Sequence, residues 1–63
     1  MTGSDIAALR ARHKVRQETL AAHRGLYVST LVDVENNKLR LSQAEYREMK
    51  ELIQSLAAQA AAA

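Results

Sequence analysis

The chain has 63 residues, 9 Lys and Arg against 7 Asp and Glu, only two aromatic residues, both Tyr, and no Cys, Pro, Phe or Trp. That length allows one small domain. The missing cysteines exclude disulfides and thiolate metal sites, and no apolar stretch approaches the ~20 residues of a membrane span. A core must be assembled from Leu, Ile, Val, Met and Ala, in a composition that favours helix over strand.

The first helix is expected from about Ser4 to His13, with Ser4 or Thr2 capping its free N–H groups and Asp5 complementing the positive end of its dipole. Ile6, Leu9 and Ala8 form its apolar stripe, and Val15 enters the core just beyond it. The second helix is expected over Gln17–Arg24. Leu20 and Ala21 face inward, Arg16 stands at the N-cap as a poor capping residue, and Gly25 closes the helix through the left-handed conformation. Gly25-Leu26-Tyr27 then forms a short turn. The third helix runs from about Val28 to Asn36, with Leu31 and Val34 on one face. Asn36-Asn37 ends it, since asparagine tolerates positive φ better than most residues.

The last helix carries the clearest start signal in the chain. Ser42-Gln43-Ala44-Glu45 is a capping box, flanked by Leu41 and Tyr46 at the two positions of a hydrophobic staple. Tyr46, Met49, Leu52, Ile53 and Leu56 supply its amphipathic stripe. Residues 57–63 are an alanine-rich tail of helical tendency, expected to fray at its end. The domain is therefore placed at residues 1–56 and the tail at 57–63, in an all-α, compact four-helix architecture with a long C-terminal helix.

Charge is unevenly placed. Arg10, Arg12, Lys14, Arg16 and Arg24 outnumber Asp5 and Glu18 in the first 24 residues, whereas the rest of the chain is slightly acidic. The basic front half can supply phosphate contacts. His13 and His23 lie ten residues apart on different helices with no Cys, Asp or Glu at ligand spacing beside them, so no metal is expected. No nucleophile–base–orienter set and no glycine-rich phosphate loop is present. No catalysis, cofactor or small-molecule substrate is expected.

The informative segment is residues 16–38, in which two short helices meet through a three-residue turn. A second helix crossing closely over a first needs a small residue at the crossing, here Ala21, four positions before Gly25. It also needs apolar residues, here Leu20, Leu26, Leu31 and Val34, to fix the angle. Gln17-Glu18-Thr19-Leu20-Ala21, Gly25-Leu26, Ser29-Thr30-Leu31 and Glu35-Asn36-Asn37-Lys38 resemble, without a gap, the phage Cro and repressor family of helix-turn-helix regulators. The resemblance covers roughly residues 6–53.

The resemblance implies a sequence-specific DNA-binding protein, a repressor of the Cro or minimal immunity type. It would bind double-stranded operator DNA as a homodimer on half-sites about one turn apart, inside a bacterial host cell. The third helix would be the recognition helix, with Val28, Ser29, Val32 and Asp33 toward base edges. Gln17 would touch the DNA backbone, Arg10 and Glu35 would form a structural ion pair, and Lys38 and Arg40 would contact phosphate. Arg16 and the Tyr27 hydroxyl offer further contacts to the DNA backbone, as do the backbone N–H groups of Ser42 and Gln43 at a helix N-terminus. The chain departs from the family's usual pattern in having no Arg or Lys on the third helix, which removes the commonest guanine contact. Tyr27 also stands where a Ser or Thr cap is usual. A dimer is expected through Leu52, Leu56 and Ala60 of the last helix. The competing reading is a small helical protein-interaction module, such as an antitoxin or antirepressor, that binds a protein through that helix. A membrane-surface role is disfavoured, because the last helix is more acidic than basic and lacks aromatic anchors.

Overall fold

Thr2, in extended backbone, opens the first helix of the computed structural model, which describes residues 1–62. Its hydroxyl accepts from the Asp5 N–H at 3.4 Å, and the Asp5 carboxylate accepts from the Thr2 N–H at 2.8 Å. This is a reciprocal capping box with Asp in the place of Glu. It starts α1 at Gly3 and runs it to Arg12, one residue earlier at each end than the sequence suggests. α2 spans Gln17–Arg24, α3 spans Val28–Glu35 and α4 spans Gln43–Ala62. Among the described residues there is no strand and no helix long and apolar enough to cross a membrane.

The first three helices end in the same way. At α2 the Gly25 N–H donates to Ala22 and the Leu26 N–H reaches back to Ala21 at 2.9 Å, with Gly25 at φ 67°. This is a Schellman closure. At α3 the residue at positive φ is Asn37 (62°), with Asn37 N–H to Val34 and Lys38 N–H to Asp33. At α1 it is Lys14 (57°), with Lys14 N–H to Ala11 and Val15 N–H to Arg10. Leu26 and Val15, the residues just beyond two of these closures, fold back onto the core. That apolar contact commonly accompanies the motif.

Four helices converge on one core of Ile6, Val15, Leu20, Ala21, Leu31, Val34, Tyr46, Met49 and Ile53. Each large apolar member contributes about 1.5–3 kcal/mol by leaving water. Ala8 does not join it and stays exposed. α3 packs on α1 and α2, and α4 packs on the same two helices. Gly3 is buried because α1 begins directly against the end of α3: a Cβ there would overlap the carbonyl oxygen of Val34.

The start of α4 follows its sequence signature. The Ser42 N–H donates to the Glu45 carboxylate, and the Glu45 N–H to the Ser42 hydroxyl, both at 3.1 Å. The buried Tyr46 has its hydroxyl satisfied by the Leu41 N–H at 3.1 Å, which gives the staple a polar clasp as well as an apolar one. From there α4 continues unbroken for 20 residues, about 30 Å, nearly the whole 34 Å long axis of the molecule. It passes through residues 57–62 of the expected tail, and Ala63 lies outside the described residues. Leu52 and Leu56 are half-buried against the chain's own core, whereas Ala60 is exposed. Much of the apolar stripe expected to meet a second copy is thus covered from within.

Candidate nucleic-acid interface

α3 has only eight residues, and no side chain caps its start. Its placement comes from its inward side and its C-terminal end. Leu31 and Val34 are fully buried, and Glu35 follows them inward at 8% exposure. A carboxylate buried to this degree demands partners. Glu35 Oε2 accepts from Arg10 Nε at 2.7 Å, and Oε1 accepts from Arg10 Nη2 at 3.1 Å. Gln17 Nε2 donates to Oε1 at 2.9 Å. The remaining reach of Arg10 goes to the Val15 carbonyl at 3.1 Å. One fork-on-fork pair therefore ties α1 to the end of α3, and Gln17 ties in the start of α2. Charge-assisted, two-pronged bonds are stronger and more directional than neutral ones, so this cluster fixes the angle at which α3 leaves the body.

With that side held, the opposite side of α3 is open. Val28, Ser29, Val32, Asp33 and Asn36 recur at helical spacing along one face. Val28 is 43% exposed, Ser29, Asp33 and Asn36 are exposed, and Val32 is half-buried. No hydrogen bond or ion pair engages these five side chains among the described residues. Asn36 belongs to this surface although its sequence context marks it only as a helix end; its position seven residues after Ser29 was the available signal. Tyr27, just before the helix, is 82% exposed, so its ring gives almost nothing to the fold.

The basic residues expected to flank this surface fall at two levels of commitment. Lys38 and Arg40 are exposed and unpaired among the described residues, and the chain bearing Lys38 folds back onto the last turn of α3 through its N–H bond to Asp33. Arg16 adjoins Gln17 and therefore stands near the same end of α3. Its only partner among the described residues is Glu18 at 3.6 Å, with both side chains largely in water, a pairing worth little. Gln17 is half-buried, with one amide N–H held by Glu35.

Ser42 and Gln43 are more fully occupied. The Ser42 hydroxyl belongs to the capping box, while the Gln43 side chain accepts from the Met1 ammonium at 2.7 Å and donates to the Met1 carbonyl at 3.0 Å. Gln43, Asn37, Arg40 and Tyr46 line an open groove of about 300 Å³ beside the N-terminus. The Glu45 carboxylate stands at the same helix end. The Ser42 backbone N–H above all, then the Ser42 hydroxyl, hold its pKa below the ordinary carboxylate value. That fixed negative charge works against an approaching phosphate.

α2 and α4 are joined by Arg24 Nη1 to Glu48 Oε2 at 3.2 Å, while the buried Arg24 Nε has no partner among the described residues. No three His, Cys, Asp or Glu side chains gather into a metal-binding group among the described residues. No protein-family model, no curated protein and no solved structure matches this chain.

Proposed function

We propose that this protein is a sequence-specific DNA-binding regulator of the phage Cro and repressor kind, with α3 entering the major groove of a duplex operator. The observation that carries this reading is the two-sided character of α3. One side is locked by Arg10, Glu35 and Gln17, while the other presents Val28, Ser29, Asp33 and Asn36 to solvent, with the half-buried Val32 among them. A helix packed on one side and open on the other is what the wide groove of B-DNA admits.

Val28, Ser29, Val32 and Asp33 are the base-facing residues in this reading, with Asn36 added at the end of the row. Lys38, Arg40 and Arg16 contact phosphate near one end of α3, the Tyr27 hydroxyl does so at the other, and Gln17 uses its remaining N–H. At the start of α4 the Ser42 N–H already donates to the Glu45 carboxylate, which leaves the Gln43 backbone N–H as the contact that helix end offers. An eight-residue helix reads too few base pairs to single out one site among some 10⁶ competitors. The protein therefore acts as a pair of copies on a two-fold symmetric site, with the half-sites roughly 34 Å apart. Bound there, it blocks polymerase and represses. The competing role, a protein-binding module working through α4, is supported less well, because Leu52 and Leu56 are already packed against the core.

A mobility-shift titration against genomic fragments at two salt concentrations tests the proposal. A preferred fragment should emerge over bulk competitor, with affinity falling steeply as salt rises. Equal binding to every fragment, or no binding, overturns it.

A further inference from the structure

The outward face of α3 has a chemistry unlike that of a guanine-reading helix. Val28 and Val32 form one stripe, and Ser29 and Asp33 form the stripe beside it. Members of each stripe lie four residues apart, about 6 Å along the axis, which is close to two base steps of roughly 3.4 Å each. Each stripe can therefore address alternate base pairs.

The donor and acceptor inventory of this face is lopsided. An ionised Asp accepts only, the valines do neither, and Ser29 does either. Guanine shows two acceptors in the major groove, N7 and O6, and adenine sets an acceptor N7 beside its amino donor. Cytosine shows the N4 amino donor with no acceptor beside it, and thymine adds a C5 methyl. A carboxylate facing guanine meets lone pairs only; facing cytosine it meets N–H. Asp33 is free to act in this way, because its side chain is exposed and bonded to nothing among the described residues, while its backbone carbonyl holds Lys38 and Leu39 in place. Val28 is 43% exposed, an apolar surface that folding does not use and that a methyl group would cover.

Building on the DNA-binding reading above, we propose that α3 selects a pyrimidine-rich edge. Asp33 accepts from cytosine N4 and rejects guanine, and Val28 and Val32 read the methyl group at C5 of the pyrimidine ring. Because thymine and 5-methylcytosine carry that methyl at the same ring position, affinity depends on the methyl itself, whichever base bears it.

Selection of bound duplexes from a randomised library, followed by base-analogue substitution in the selected site, tests this. One strand of each half-site should be rich in pyrimidines, with guanine depleted on the order of tenfold where Asp33 lies. Replacing thymine by deoxyuridine removes only the methyl, and should weaken binding severalfold. Replacing an adjacent cytosine by 5-methylcytosine should strengthen it. Val28→Ser, a change at an exposed position that leaves the core intact, should reduce the difference between thymine and deoxyuridine at the base it faces, with Val32 still reading its own. Asp33→Asn should admit adenine. Guanine enriched opposite α3, or deoxyuridine binding as tightly as thymine, overturns the pyrimidine reading while leaving DNA binding standing. A library with no enriched sequence overturns sequence-specific DNA binding itself, and this inference with it.

Discussion

At its C-terminal end α3 is gripped from three directions. Arg10 and Gln17 converge on Glu35, the α1 backbone at Gly3 presses on the Val34 carbonyl, and a Schellman closure at Asn37 satisfies the last carbonyls. At its N-terminal end the same helix has no side-chain cap, and it opens with Tyr27 and Val28, both exposed. The contrast shows how a short helix can be both rigid and available. Its direction is set where it is buried, so its other end and outer face need no contact with the rest of the chain. They are free for a second molecule.

Changes at the gripped end should be the most damaging. Gly3→Ala forces α1 away from α3, because the obstacle is backbone and cannot rotate aside. A loss above about 3 kcal/mol is expected, a large share of the folding free energy of so small a domain. Thermal melting followed by circular dichroism at 222 nm should show the transition collapse toward room temperature. Glu35→Ala leaves the Arg10 guanidinium, 19% exposed, without its anion. The loss should be about 2–3 kcal/mol, somewhat below that for a fully buried pair, and urea titration would measure it.

At the open end the sign should reverse. Tyr27→Ser supplies the missing N-cap and removes a ring that packs on little, so stability should rise by about 1 kcal/mol. A loss on chemical denaturation would mean that the ring supports α3 after all. The smallest effect concerns the closure that three helices share. Lys14 holds a left-handed conformation that costs a non-glycine residue about 1–2 kcal/mol, and glycine gives back part of that gain through its greater freedom when unfolded. Lys14→Gly should therefore stabilise by about 0.5 kcal/mol, whereas Gly25→Ala, with open space around it but φ at 67°, should destabilise.

Where a residue type carries its own conformational signal, the sequence was enough to place the structure. Gly25 and the Asn36-Asn37 pair marked two closures, Ser42 and Glu45 marked the start of α4, and α2 has the bounds expected of it. The third closure was not legible, because nothing about a lysine announces positive φ. At the start of α1 the sequence left Ser4 and Thr2 open as caps; Thr2 is the one used, and only the reciprocal bond from Asp5, in a box usually completed by Glu or Gln, was not legible. The close approach of Gly3 to Val34 joins positions far apart in the chain, and local patterning carries no trace of such a contact. For the candidate interface, the resemblance was enough to name Val28, Ser29, Val32 and Asp33, although Val32 is half-buried and the exposed Asn36 was missed. It was not enough to tell which polar side chains were already engaged. The Gln43 side chain is the example, because its partner Met1 lies 42 positions away in the chain.

The claim on which the account turns is that the outer face of α3 is where another molecule, a DNA duplex, sits. Titrating ¹⁵N-labelled protein with the library-selected duplex and following backbone amide shifts by NMR tests it directly. The account predicts the largest changes along Val28–Asp33 and at Lys38 and Arg40, with Gln54, Ser55 and Ala58 on the exposed side of α4 unmoved. Changes confined to α4, with Val28–Asp33 unaffected at saturation, would contradict it.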